Sequence, residues 1–210
     1  KIQNDKTNAS LIDNTFVSQE RNSDYSLHTF SLGGELTRNN LSIIQNGERI
    51  ESTINGITII GENQHVDHNT LIHHKKPTCN SYQDYKGIFG DNSVGVFNGQ
   101  VMVEKEAQKT NAFQANNNVL TSDKATINTK PQLEIFADDV KCSHGCTVGQ
   151  LDQNALFYLR SRGIPEKEAT ALLMYGFANK VLGSVGIPQV KTRINQIIAK
   201  KLGVKIGFDI

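Results

Sequence analysis

Along the first 150 residues, apolar side chains come in short runs separated by polar stretches. The runs are Leu41–Ile44, Ile57–Ile60, Thr70–His73, Val94–Phe97, Val101–Val103 and Leu133–Phe136. Several alternate with polar or small residues, as in Val94-Gly95-Val96 and Val101-Met102-Val103, which is the period of a strand. Asn recurs between and beside them (Asn39, Asn40, Asn46, Asn55, Asn63, Asn69, Asn80, Asn92, Asn98, Asn111, Asn116, Asn117, Asn118, Asn128). Asn tolerates left-handed backbone and closes turns through its side chain, so this supply predicts many turns. Short strands and frequent turns, with no helical period between them, predict an all-β body. Sandwich, barrel and parallel β-helix all satisfy that pattern, because no fixed-period repeat selects among them. The aliphatic residues of 43–59 fit an inward stack, and Glu48, Arg49 and Glu51 fit turns.

From Asp152 the period becomes helical. Asp152 is a natural N-cap for a helix Gln153–Arg162 carrying Leu156, Phe157 and Leu159, and Gly163 is its stop. Pro165 opens a second helix, with Glu166 and Glu168 in its first turn. Its stripe is Ala169, Leu172, Leu173, Phe177, Ala178 and Val181 at three- and four-residue spacing. Gly183 and Gly186 end it, and Pro188 introduces a third helix with Val190, Ile194, Ile197, Ile198 and Leu202. The expected division is a β core over 1–150 and a small helical domain over 151–210, too small to bury its apolar surface alone.

Composition narrows the function classes. The net charge is +1, so nothing pulls the whole chain toward nucleic acid or membrane. The late basic residues Lys191, Arg193, Lys200, Lys201 and Lys205 fit a solvated helix face. Three cysteines make no disulfide framework and, with no signal peptide, favour a reducing, cytoplasmic setting. No apolar run reaches the roughly 20 residues of a membrane span. The chain begins Lys1-Ile2-Gln3-Asn4 without Met, which suggests a fragment of a longer protein. Walker A, Gly-x-Gly-x-x-Gly, Gly-x-Ser-x-Gly and His-Glu-x-x-His patterns are all missing, which argues against the enzyme classes they mark.

One run stands out: Cys142-Ser143-His144-Gly145-Cys146. On a strand, positions i, i+2 and i+4 share a face, so two thiols and an imidazole would line up about 6–7 Å apart. Sulfur and imidazole together suit zinc, copper(I) or iron–sulfur species. The alternative is two small buried thiols and a backbone-bonded histidine. A second cluster, His65, Asp67, His68, His73 and His74, could present His and Asp on one face or simply decorate a surface. Cys79 has no partner nearby in sequence.

The residues from Leu133 to Gly145, LEIFADDVKCSHG, resemble the signature of the SufB/SufD family. So do Thr147–Asp152 and Leu156–Ile164, and upstream Tyr85-Lys86-Gly87, Val96–Gly99, Ala107–Thr110 and Asn116–Leu120. The similarity runs from about Ser31 to Phe177, and Lys141–Gly145 is closer to the SufD branch than to SufB. The resemblance implies a right-handed parallel β-helix followed by a C-terminal helical domain. It implies a scaffold role in iron–sulfur cluster assembly rather than catalysis, pairing with a SufB-like subunit and docking a SufC-like ABC ATPase that supplies ATP hydrolysis. By position, His144 matches the histidine at the SufB interface that builds or ligates the nascent cluster, and Cys142 the cysteine two residues before it. Cys146 stands where many relatives are expected to have Ala. Flavin has been linked to some such complexes, yet no sequence feature here would bind it. Leu159, Leu172, Tyr175 and Phe177 are the candidate SufC-docking residues.

Two other readings compete. A β-helix enzyme acting on carbohydrate would need paired carboxylates on a groove, for which Asp138-Asp139 and Glu104/Glu106 are the nearby pairs. A purely structural dimerisation module would make His144 dispensable. Exposed strand edges near the end of the β body would favour a homodimer.

Overall fold

The computed structural model describes residues 1–204, which leaves Lys205 of the basic cluster outside the described residues. Eleven strands precede three helices: β1 (Ile2–Gln3), β2 (Ser10–Gln19), β3 (Asp24–Ser31), β4 (Leu36–Gln45), β5 (Glu51–Ile60), β6 (His65–His74), β7 (Asn80–Phe89), β8 (Val94–Val103), β9 (Asn111–Leu120), β10 (Thr126–Ile135), β11 (Lys141–Gly149), α1 (Gln153–Ser161), α2 (Glu166–Leu182) and α3 (Pro188–Leu202). Odd strands form one sheet in the order β1-β3-β5-β7-β9-β11, and even strands a second, β10-β8-β6-β4-β2. Every pairing is parallel. This is a parallel β-helix of flattened coils, each contributing one strand to each sheet. The sandwich and barrel are thereby excluded.

A repeat is present, but its length varies. Strands of the odd sheet begin at Asp24, Glu51, Asn80, Asn111 and Lys141, spacings of 27, 29, 31 and 30 residues. The strands hold near ten residues while the turns absorb the difference, from Glu20–Ser23 to the longer Glu104–Thr110. Tight turns repeatedly need one left-handed residue, and Asn22, Arg49, Glu62, Thr78, Asp91 and Lys109 all have positive φ. Only one of these is Asn, so Asn is not chiefly the turn former here. Asn39, Asn40, Asn55, Asn69, Asn98, Asn116, Asn117, Asn118 and Asn128 lie inside strands. Stacked in register, side-chain amides bond from coil to coil: Asn40 Nδ2 donates to Asn14 Oδ1 at 2.8 Å on the outer face. The runs Val94–Phe97 and Val101–Val103 are one strand, β8, with Asn98 and Gly99 inside it.

The interior carries apolar clusters interleaved with polar ladders. Leu41, Ile43, Ile54, Ile72, Tyr85 and Phe97 fill the middle coils. Buried His68 bridges the sheets: Asn39 Nδ2 donates to its Nδ1 at 3.4 Å, and its Nε2 donates to Thr58 Oγ1 at 3.0 Å. A second ladder joins Gln19, Ser52 and Gln45, and one coil on His74 Nε2 meets Ser81 Oγ at 2.9 Å.

The helices fold back onto the outer face of the odd sheet. Phe30, Leu32, Ile57, Ile59 and Ile88 form one core with Ala178, Val181, Leu182, Ile194 and Ile198. The run Ile57–Ile60 is therefore buried on both faces, as sheets covered by helices require. Ile57 and Ile59 point out to the helices, whereas Ile60 points inward among Val66, Phe89 and Ala125. Asp152 caps α1 by accepting from the N–H groups of Asn154 and Ala155, as its position predicted. Gly163 lies left-handed (φ 84°) just beyond α1. On α2 the buried stripe is Ala169, Ala171, Ala178, Val181 and Leu182, while Leu172 is 41% exposed. None of the described helices is long and apolar enough to cross a membrane.

Candidate functional site

The run 142–146 lies on β11, the last strand of the odd sheet, paired only with β9. Register fixes its facing. Cys142 stands on Ala112, His144 on Gln114, Cys146 on Asn116 and Val148 on Asn118. Those four β9 side chains are buried in the coil interior, so the inner face of β11 carries Cys142, His144, Cys146 and Val148. The alternation expected of the run is thus realised on one strand face.

These residues differ in what covers them. Cys142 packs beside Val101, Val103, Ala107, Ala112 and Ala137, and burial pushes its thiol above the usual range. His144 and Cys146 are exposed. The coil that would lie over them is not present among the described residues, and β10 and β11 form the two edges of the open end. β10 contains Pro131, which offers no N–H and is tolerated on an edge strand. β11 contains none and presents an unbroken row of backbone groups. Gln114 Oε1, on β9 in the coil before, and Thr129 Oγ1, on β10, are buried polar atoms without hydrogen-bond partners among the described residues.

On the outer face beside the run, Ser143 and Gly145 border an open groove with Asn55, Tyr82, Asp84 and Phe113. The Tyr82 and Phe113 rings stack there, centroids 5.5 Å apart. Among the described residues no group of three or more His, Cys, Asp and Glu side chains converges as a metal site.

The histidine cluster disperses. His68 and His74 point into the interior and are buried, whereas His73 faces outward and meets Glu104 Oε1 at 2.8 Å. Parity explains this: even positions of β6 are inward and odd ones outward. Asp67, also outward, pairs with Arg38 at 3.3 Å. Cys79 is a buried free thiol whose Sγ donates to the Gly47 carbonyl at 3.3 Å. The acidic pairs weighed for carbohydrate chemistry, Asp138-Asp139 and Glu104/Glu106, sit in the turns after β10 and β8.

The docking candidates divide as well. Tyr175 and Phe177 pack against the sheet-helix core; Tyr175 Oη donates to Asn195 Oδ1 at 3.1 Å, and the Lys86 ammonium lies 4.6 Å from the Phe177 ring centre. Leu159 is half-buried and Leu172 exposed. The docking candidates read from the sequence omit two exposed aromatics of the tail, Phe157 at 74% and Tyr158 at 57%. Their place on α1, which has no buried residue at all, is the signal that exposes them.

Comparison with known proteins agrees with this arrangement. Residues 1–177 match the family model described as SUF system FeS cluster assembly, SufBD core domain. The chain is 42% identical over 175 residues to the iron-sulfur cluster assembly protein SufD of Escherichia coli (strain K12), covering 83% of this chain and 41% of that protein. It is 38% identical over 197 residues to an iron-sulfur cluster assembly SufBD family protein of Synechocystis sp., covering 94% of this chain and 44% of that protein. SufD of Bacillus subtilis (strain 168) is 34% identical over 145 residues, 69% of this chain and 33% of the relative. The chain spans less than half the length of these relatives. It belongs to the SufB/SufD family of iron–sulfur cluster assembly proteins, and within it is most like SufD.

Proposed function

We propose that this chain is the part of a SufD-type scaffold that pairs with a SufB-like subunit and shares with it the site where a nascent iron–sulfur cluster is built. The observation that carries the proposal is the open last coil: His144 and Cys146 stand on an inner strand face that nothing among the described residues covers. The nascent iron or cluster is cargo here, not a resident cofactor. The chain offers it an imidazole and a thiol, soft donors suited to iron–sulfur species. A single strand places such donors too far apart to close a tetrahedral shell alone, so the remaining ligands would come from the partner. His144 is the first donor, Cys146 its uncovered neighbour, and Cys142 a protonated, packed support beneath them.

In the same complex the tail would dock a SufC-like ATPase through α1 and the outward side of α2, with Phe157, Tyr158, Leu159 and Leu172 at the contact. Tyr175 and Phe177 act from within, by seating α2 on the sheet. The protein would work in the cytoplasm and catalyse no reaction itself.

Co-expression with SufB and SufC homologues tests the shared site. The wild-type complex is expected to carry iron and sulfide, and His144→Ala to lower both several-fold with the subunits still associated. Normal iron and sulfide in the His144→Ala complex would remove His144 from the site.

A further inference from the structure

The interior column that ends at His144 has a direction. On the odd sheet, Leu27, Ile54, Gln83, Gln114 and His144 stand in register, one per coil. The column is aliphatic in the early coils and turns polar at Gln83. Gln83 Nε2 donates to Thr70 Oγ1 of the facing sheet at 2.7 Å, and Gln114 Nε2 donates to Gln83 Oε1 at 2.7 Å. The Gln114 amide thus directs its NH₂ toward the earlier coils and has its carbonyl left for the next rung. The Gln83 carbonyl is taken by Gln114; among the described residues the Gln114 carbonyl is taken by nothing. Gln114 is only 3% exposed, so this is a buried acceptor without a donor. Space is reserved for its amide: a Cβ on Gly99, in the facing strand, would collide with Gln114 and the Phe97 ring.

His144 is the next residue in that column, on the same inward face and one interstrand spacing (about 4.8 Å) further on. We propose that Gln114 is the positioning residue of His144: its buried Oε1 accepts the imidazole N–H, selects one tautomer, and leaves the other ring nitrogen as the electron-pair donor at the open end. A neutral imidazole has one donor nitrogen and one acceptor nitrogen, and a hydrogen bond to the first fixes which is which. Ligating histidines are commonly held this way through their second nitrogen. The flanking thiols of Cys142 and Cys146 are much weaker donors to such a carbonyl. The biological meaning rests on the proposed role of His144; the contact itself does not.

The test is the ¹⁵N spectrum of the His144 ring in the purified, iron-free protein, at a pH above the imidazole range. Wild type is expected to show one tautomer. Gln114→Met keeps the shape but removes the acceptor, and should give the mixture of a free imidazole. Gln114→Glu restores an acceptor and should restore the single tautomer. In cells, cluster loading of the SufB–SufC complex should fall about tenfold with Gln114→Met and recover with Gln114→Glu. A free-imidazole mixture in the wild type overturns the assignment even if a variant fails to fold, and so does a Gln114→Met spectrum identical to wild type. A normal cluster content in His144→Ala would instead defeat the scaffold reading while leaving the tautomer result standing.

Discussion

Two buried histidines give the β body a pH dependence separate from anything at the open end. His68 is fully enclosed, and burial pushes its pKa down to about 4. His74 is likewise lowered to about 4, by burial first and then by the neighbouring His73. In the unfolded chain both would titrate near 6.5. Below that value the unfolded chain takes up protons that the folded chain refuses. The contribution of neutral burial is therefore complete above about pH 7 and is lost progressively between about 6.5 and 4. Each histidine adds a slope of about 1.4 kcal/mol per pH unit across that window, several kcal/mol for the pair. Urea midpoints should be flat from pH 7 to 8 and fall steeply toward pH 5. His74→Gln keeps a hydrogen-bonding group near Ser81 and should remove about half of the slope; an unchanged slope would show that His74 is not held neutral. The adjacent letters His73-His74 hid this difference, because only the strand register tells which of the two is inside.

At the scale of elements, β11 is an edge and α2 is a clamp. Replacing Val148 with Pro deletes one outward backbone donor of β11, because the odd residues, like Lys141, bond to β9, and, on the proposed function, should weaken co-purification with a SufB-like partner. Its thermal midpoint should change little, since edge strands tolerate proline. Equal capture of partner by the two proteins would argue against pairing through this edge. For the clamp, Leu182 is fully buried between Phe30, Ile57 and the facing helix α3. Leu182→Ala should cost about 2–5 kcal/mol, measured as a loss of urea midpoint for the helical signal. Helical elements were legible from the amino acids: α1, α2 and α3 start and stop where Asp152, Pro165, Gly183 and Pro188 stand, because caps and breakers act locally. Strands β2, β3, β7 and β9 were not. Their inward positions hold Gln, Asn, Ser and Thr as often as aliphatics, so no apolar alternation advertises them.

For the whole molecule, the folding back of the helices decides which apolar surface remains for a partner. Phe177 and Tyr175 stand with Leu172 among the docking candidates read from the sequence, but the sheet–helix core covers the first two. Two substitutions should therefore separate. Leu172→Asp together with Phe157→Asp should abolish capture of a SufC-like ATPase with the melting temperature unchanged. Phe177→Asp should instead lower the melting temperature by several degrees, since it breaks contacts to Lys86 and the shared core. If the exposed pair had no effect on capture, the ATPase would dock elsewhere.

By itself the sequence determined the chemistry and the local grammar: a Cys-x-His-x-Cys run, three capped helices, and a family signature specific enough to name the fold. Local rules suffice there because capping, breaking and alternation act within a few residues. Facing and cover were decided only by tertiary structure. Coil lengths that vary with the turns concealed the repeat, and side chains some thirty residues apart come into register only once the coils stack. That stacking turned the run at 142–146 into a packed thiol, an uncovered imidazole and an uncovered thiol, and it set a buried glutamine carbonyl in the position below the imidazole.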